Sequence, residues 1–227
     1  MHSKNDLKRG LTIPEKSEKL AELFGVLTGD GYINFYSSKN DYIIEIAGHS
    51  IEDSEYFEYL SDLFFSLFNL KPKKYVRKNQ NTAYLRLRSK GIFHFLEDCG
   101  FVRGKKEQIG IPSWIKKNNP YMARFIRGLV DTDGSLVLKK RYKTKPYYPV
   151  INIVSKSKPL ITTTSSWLKT QNLAGWSGCE IKKDKRNEVI TQNYRLEING
   201  KKNLKKWLKL IGFSNKKHLT KIKKNGT

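Results

Sequence analysis

The sequence predicts an α+β protein of two pseudo-symmetric halves, each running α-β-β-α-β-β-α with its strands in a concave antiparallel sheet. Three observations predict it. Leu23 to Gly31, LFGVLTGDG, returns half a chain later as Ile126 to Gly134, IRGLVDTDG. After each copy the apolar period changes from about 3.6 to about 2, the change from helix to strand. Later segments repeat as well: Tyr194 to Gly200 parallels Leu85 to Gly91, and Gly212-Phe213 parallels Gly100-Phe101. The expected division is 1–113 and 114–227.

Residues Met1 to Ile13 are polar and basic and read as loose. Pro14 to Thr28 is the first repeated helix, with Leu20, Leu23, Phe24 and Leu27 at helical spacing and Pro14 in the first turn, where a missing N–H is harmless. Tyr32 to Tyr36 and Tyr42 to Ala47 form a hairpin: Ile33, Phe35, Ile44 and Ile46 share one face, while Tyr32, Asn34, Tyr36, Ile43 and Glu45 share the other. Ser50 suits the cap of a helix over Ile51 to Leu67 that covers the apolar side. Lys73 to Asn79 and Thr82 to Arg88 make a second hairpin across Asn79-Gln80-Asn81, with Val76, Leu85 and Leu87 inward and Tyr75, Arg77, Tyr84, Arg86 and Arg88 outward. A helix over Gly91 to Cys99 closes the half.

The second half repeats the order. Asn119 suits a cap and Pro120 the first turn of the second motif helix. Ser135 to Arg141 puts Leu136 and Leu138 inward and Val137, Lys139 and Arg141 outward. A loop rich in Lys, Tyr and Pro leads to Val150 to Ser155, with Ile151 and Ile153 inward and Asn152 outward. Helices are expected over Ser157 to Thr170, Lys201 to Ile211 and Asn215 to Lys223, and strands over Cys179 to Lys185 and Val189 to Ile198, with Arg195 outward.

The 227 residues include 44 Lys and Arg against 21 Asp and Glu, a formal charge of +23. A polyanionic partner is implied, and nucleic acid leads because the basic residues are interleaved with Tyr and Asn rather than gathered in a tail. The outward residues of the second hairpin, Tyr75, Arg77, Tyr84, Arg86 and Arg88, read as almost free of acids. No apolar run approaches a membrane span and no signal peptide is visible, so a soluble intracellular protein is expected. Cys99 and Cys179 stand alone and read as buried thiols.

Gly25 with Gly29, and Gly128 with Thr132, place small residues at i, i+4 on each repeated helix, so two backbones can approach closely. Such a pair brings Asp30 and Asp133 together at its foot. At about 6 Å and an effective dielectric of about 20 they repel by roughly 3 kcal/mol. Either one carboxyl keeps a proton or a divalent metal neutralises the pair, and oxygen ligands favour Mg²⁺ or Mn²⁺.

Both stretches resemble the LAGLIDADG motif of homing endonucleases, with Asp30 and Asp133 at its eighth position and Gly31 and Gly134 at its ninth. Two copies in one chain resemble the single-chain, two-motif branch, although Thr28 and Gly29 stand where the consensus has Asp and Ala. The resemblance implies that the motif helices join two subdomains whose sheets form a DNA-binding saddle. It also implies that Asp30 and Asp133, with the adjoining Gly29 and Thr132, bind the catalytic metals, and that Lys105 and Lys217 occupy the place of a catalytic lysine. His49 and Lys156 fall where the family often has Gln-Lys, so Gly48 is a departure.

A strand of about seven residues spans roughly 23 Å, so two sheets could follow a site of order 15 to 20 base pairs. The outward sets differ between halves, so the site should be asymmetric. Three functions fit the pattern: a double-strand DNA endonuclease acting as a monomer, an RNA maturase working on an intron, and a DNA-binding regulator without cleavage. The retained acids favour the first over the third.

Overall fold

The computed structural model describes residues 3–77, 80–104, 106–142, 145–173, 175–183, 188 and 190–224. Its first departure from expectation is at the amino terminus, where Lys4–Lys8 form a short helix, α1. Asp6 N–H donates to Ser3 Oγ at 3.1 Å while the Asp6 carboxylate accepts from Ser3 N–H at 3.2 Å. This reciprocal pair satisfies two amides that a helix start leaves orphaned. Asp6 also accepts from Gly91 N–H at 3.0 Å, at the start of a later helix, so the segment is tied down.

The first motif helix, α2, runs Glu18–Asp30 and is capped by Ser17, with Pro14 ahead of it rather than in its first turn. Leu20, Leu23, Phe24 and Leu27 are buried. Next come β1 (Gly31–Tyr36), β2 (Asp41–His49), α3 (Ser54–Phe68), β3 (Lys73–Val76), β4 (Thr82–Arg88) and α4 (Lys90–Asp98). Helix α3 starts at its cap residue Asp53, later than the Ser50 cap expected. A one-turn helix α5 (Ser113–Lys116) precedes the second motif helix, α6 (Asn119–Thr132). Its capping side chain is Asn118, whose Oδ1 accepts from Tyr121 N–H at 3.2 Å. Then follow β5 (Gly134–Tyr142), β6 (Lys145–Ser155), α7 (Lys158–Thr170), β7 (Trp176–Lys183), β8 (Ile190–Asn199), α8 (Lys201–Leu210) and α9 (Lys216–Lys224).

Both sheets are antiparallel and four-stranded, in the matching orders β1-β2-β4-β3 and β5-β6-β8-β7. The duplication read from sequence therefore extends to strand order. The register keeps the expected faces, but two residues differ in burial. Ile43, expected outward, is 6% exposed because Asn34 and Arg88 flank it in register. Val76, expected inward, is 61% exposed at the end of the four-residue edge strand β3. Cys179 is exposed and Cys99 partly so, against the expectation of two buried thiols. The Lys- and Pro-rich loop before Val150 belongs largely to β6. Asn79, Asp184, Lys185 and Val189, expected at strand ends or turns, lie outside the described residues.

The folded chain groups into two compact units. The first comprises Met1–Arg103, Pro112–Thr132 and Ser214–Lys217, and so holds both motif helices; the second comprises Gly104–Ile111, Asp133–Phe213 and His218–Thr227. In the first, α2 and α4 pack on β2. In the second, α7 and α8 cover β6 and β8, burying Ile151, Ile153, Leu196, Ile198 and Trp207. A division at 113/114 follows the repeat and meets the first residue of α5. No helix among the described residues is long and apolar enough to cross a membrane.

Candidate active site and nucleic-acid interface

The closest packing of the first unit is between α2 and α6. A Cβ added to Gly25 would stand 2.0 Å from the carbonyl oxygen of Phe125, and one on Gly128 would stand 2.3 Å from that of Glu22. Only glycine permits this approach. Asp30 is the last residue of α2 and Asp133 is the residue after α6; both are partly buried. No basic residue occupies the last turn of either helix, so the negative end of each dipole is not neutralised from within that turn. The Thr132 hydroxyl donates to the carbonyls of Gly128 and Leu129, at 2.9 and 3.1 Å, which turns it back along α6. Carboxylate and backbone carbonyl oxygens are hard donors of the kind that suits Mg²⁺ or Mn²⁺.

Sequence reading missed a buried polar network in the same unit. Glu22, on α2, is 2% exposed and accepts from Tyr59 Oη at 2.7 Å, Arg127 Nη2 at 2.6 Å and Ser214 Oγ at 2.6 Å. Asp131, 1% exposed, accepts from Ser214 N–H at 2.7 Å. Burial pushes its carboxyl up to about 8 despite that bond, with the Glu22 charge adding to the rise. Tyr59 rises to about 12, through burial and then the Glu22 charge. Asn215 Nδ2 donates to Asp53 at 2.9 Å and to the Asp131 carbonyl at 3.2 Å. Burial would raise the Asp53 carboxyl, but hydrogen bonds from Asn215, His49 N–H and Lys217 bring it below the usual value. The signal available in sequence was charged residues on otherwise apolar helix faces.

Lys217 donates to Asp53 at 3.0 Å and is 26% exposed, so the candidate lysine is held by a carboxylate. Lys105, its counterpart by repeat, lies outside the described residues. Gly48 now has a physical reason. A side chain there would meet Phe57 Cζ at 3.0 Å and Asp53 Oδ2 at 3.1 Å, disturbing the carboxylate that holds Lys217 and Asn215.

On the polar face of the first sheet, Tyr32, Asn34 and Tyr36 are linked: Asn34 Nδ2 donates to Tyr32 Oη at 2.8 Å, and the two phenol oxygens lie 2.9 Å apart. Tyr75 and Tyr84 stack at 5.4 Å, and Arg77 lies over Tyr84 at 5.8 Å. Acids of β2 pair with the arginines of β4 on this face. Arg86 Nε donates to Glu45, and Arg88 Nε donates to both Asp41 oxygens at 3.0 Å. In the second sheet Arg195 contacts Glu180 at 3.0 Å and Glu197 at 3.5 Å, and Lys139 approaches Glu197 at 3.6 Å. Glu45 was expected on this face, but these pairings were not, because pairing across strands joins residues remote in sequence. Asn152 is partly buried on β6, Lys156 is exposed just after it, and the Arg141 side chain lies outside the described set.

Residues 120–212 match the LAGLIDADG-like domain family. The homing endonuclease I-WcaI, bound to its DNA recognition sequence, superposes with a TM-score of 0.60 at 19% identity, over 96% of this chain and 92% of that one. The fold is that of the LAGLIDADG homing endonucleases. I-DmoI in complex with DNA and Mn gives a TM-score of 0.56 at 22% identity, over 87% of this chain and 97% of that one. An uncharacterised protein of Methanocaldococcus jannaschii is 29% identical over 176 residues, 72% of this chain, and the match spans 58% of that relative's length. The family match takes in α6 and the second sheet, while the likeness in fold extends over both sheets.

Proposed function

We propose that this chain is a site-specific DNA endonuclease that hydrolyses both strands of a long, asymmetric duplex site with a divalent metal, leaving a staggered break. One observation carries the reading: a carboxylate ends α2 and another follows α6, on helices held at backbone contact by Gly25 and Gly128. A chain that only bound nucleic acid would gain nothing from acids beside phosphates. The solved relatives support the partner and the cofactor class. I-WcaI is bound to its recognition sequence, and I-DmoI structures contain DNA with Mn, Mg or Ca.

On this reading Asp30 and Asp133, with the carbonyls of Gly29 and Thr132, hold Mg²⁺ or Mn²⁺. The bound metal supplies an activated water and stabilises the leaving oxygen. Lys217, oriented by Asp53, and Lys105 by sequence parallel, set positive charge where the phosphate becomes more negative. The polar sheet faces, with Tyr32, Asn34, Tyr36, Tyr75, Arg77, Tyr84, Arg88, Lys139, Arg141, Asn152 and Lys156, contact the duplex. Two motifs in one chain allow it to act as a monomer.

The test is incubation with a randomised duplex library, with Mg²⁺ or with EDTA, followed by sequencing of the ends. Paired cuts at one related set of sequences, present only with Mg²⁺, are expected. A library left intact under both conditions refutes the proposal.

A further inference from the structure

Arg86 and Arg195 stand at like places in the sequence repeat, but the strand register sets them apart: Ile46 pairs with Leu85 and Ile153 with Leu196, so Glu197 rather than Arg195 stands where Arg86 does, and the two arginines are held in different ways. In the first sheet a row of residues runs in register across all four strands: Tyr32, Glu45, Arg86 and Lys73. Arg86 is gripped at Nε by Glu45, and its guanidinium lies 5.0 Å from the centre of the Tyr84 ring and 5.4 Å from that of Tyr75. Among the described residues its two Nη groups have no hydrogen-bond partner. In the second sheet the arrangement is reversed. Arg195 Nη2 lies 3.0 Å from Glu180 and Nη1 lies 3.5 Å from Glu197, so the edge that a guanine would need faces two carboxylates.

Reading guanine in the major groove takes two parallel donors aimed at O6 and N7. A guanidinium clamped at Nε and flanked by aromatic rings has few rotamers left, so presenting its Nη edge costs little further entropy. The clamp has an opposite effect on affinity at large. A carboxylate on a face that meets phosphates weakens attraction to every sequence alike. Glu45 itself is 18% exposed at its side chain and already accepts from Arg86, which disfavours a direct base contact of its own.

We infer that Glu45 is a positioning residue for base recognition: it clamps Arg86 over Tyr75 and Tyr84 so that the Nη edge reads one guanine, while Arg195, clamped at that edge by Glu180 and Glu197, reads none. The inference rests on the proposal that the chain binds duplex DNA. It assigns sequence discrimination to a position whose counterpart in the second sheet is an acid, Glu197, and makes an acidic residue the source of a preference for guanine.

The test is selection of a randomised duplex library by the full chain in EDTA, so that binding is read without cleavage. Wild type, Glu45→Ala, Glu45→Gln, Arg86→Ala, Arg86→Lys and Arg195→Ala are compared. Arg86→Ala and Arg86→Lys should each lose a roughly tenfold preference for guanine at one base pair. Glu45→Ala should lose most of the preference at the same base pair while its affinity for unrelated duplex rises about two- to fivefold. Glu45→Gln, which keeps an acceptor for Nε, should recover part of the preference. The double variant Glu45→Ala, Arg86→Ala should be no less selective than Arg86→Ala alone. Arg195→Ala should leave every base preference in place. Loss of preference at a different base pair in Glu45→Ala, a uniform loss of affinity in Arg86→Ala, or a changed profile in Arg195→Ala overturns the inference. A wild-type chain that retains no duplex overturns the functional proposal beneath it.

Discussion

Asp30 and Asp133 carry the chemistry proposed here, and replacing either by asparagine keeps the shape while removing a charged ligand. Each variant is expected to lose double-strand cleavage while binding DNA within about tenfold of wild type, since losing a carboxylate also removes repulsion from phosphate. Gel-shift and cleavage assays on one target separate the two quantities, and full cleavage by either variant would refute the assignment. Asp6 gives a prediction about stability. Burial alone would raise its carboxyl, but hydrogen bonds from Ser3, Gly91 N–H and Ser89 hold it at about 2, against 3.8 for a free aspartate. Because the folded value is the lower one, this stabilisation is complete above about pH 4 and is lost as pH falls toward 2. Asp6→Asn should be less stable than wild type at pH 6, with the gap closing at pH 2, as read by urea midpoints across that range. At this scale the motif acids and the outward arginines were legible in sequence. The pairing of those arginines with acids was not, since Glu45 and Arg86 meet only once β2 and β4 are paired.

The elements were legible wherever local chemistry and tertiary packing agree. Both motif helices announced themselves through small residues at i, i+4, and the matched strand orders followed from the hairpins. The failures have identifiable causes. Helix α1 has too few apolar residues to show a period, and its only signal is Ser3 placed before Asp6, a capping pattern. The length of β6 was hidden by Pro146 and Pro149, which read as loop although a strand can hold proline where no ladder donor is needed. The helix pair supports a sharp prediction. Gly25→Ala or Gly128→Ala must force backbones apart, because the added methyl would meet carbonyl oxygens at 2.0 and 2.3 Å. Each should cost about 1–3 kcal/mol or more. Gly110→Ala, where nothing lies within 4 Å, serves as the control and should melt like wild type.

Over the whole molecule, the charge of +23 was the plainest message in the sequence. If about eight phosphates are neutralised on binding, log K should fall with log salt at a slope of roughly −7, and a fourfold rise in salt should weaken binding about 10⁴-fold. A slope shallower than about −3, measured by salt titration, would assign the charge to another partner. Less legible was how the chain divides. The repeat suggests two consecutive halves, whereas the segments Gly104–Ile111 and Ser214–Lys217 each group away from the residues just before them. Such assignments depend on buried polar partners, which leave no period in a sequence.

The bond from Ser214 to Glu22 joins residues 192 positions apart in the chain. During synthesis at roughly 5–20 residues per second, the residue that completes the environment of Glu22 is made on the order of 10 to 40 seconds after it. Until then Glu22, Asp131 and Asp53 lack Ser214, Asn215 and Lys217, and the amino-terminal unit emerges from the ribosome with those acids still hydrated. Closure of this network therefore waits for Ser214–Lys217 to be made, and a chain ended at Phe213 is expected to lack it.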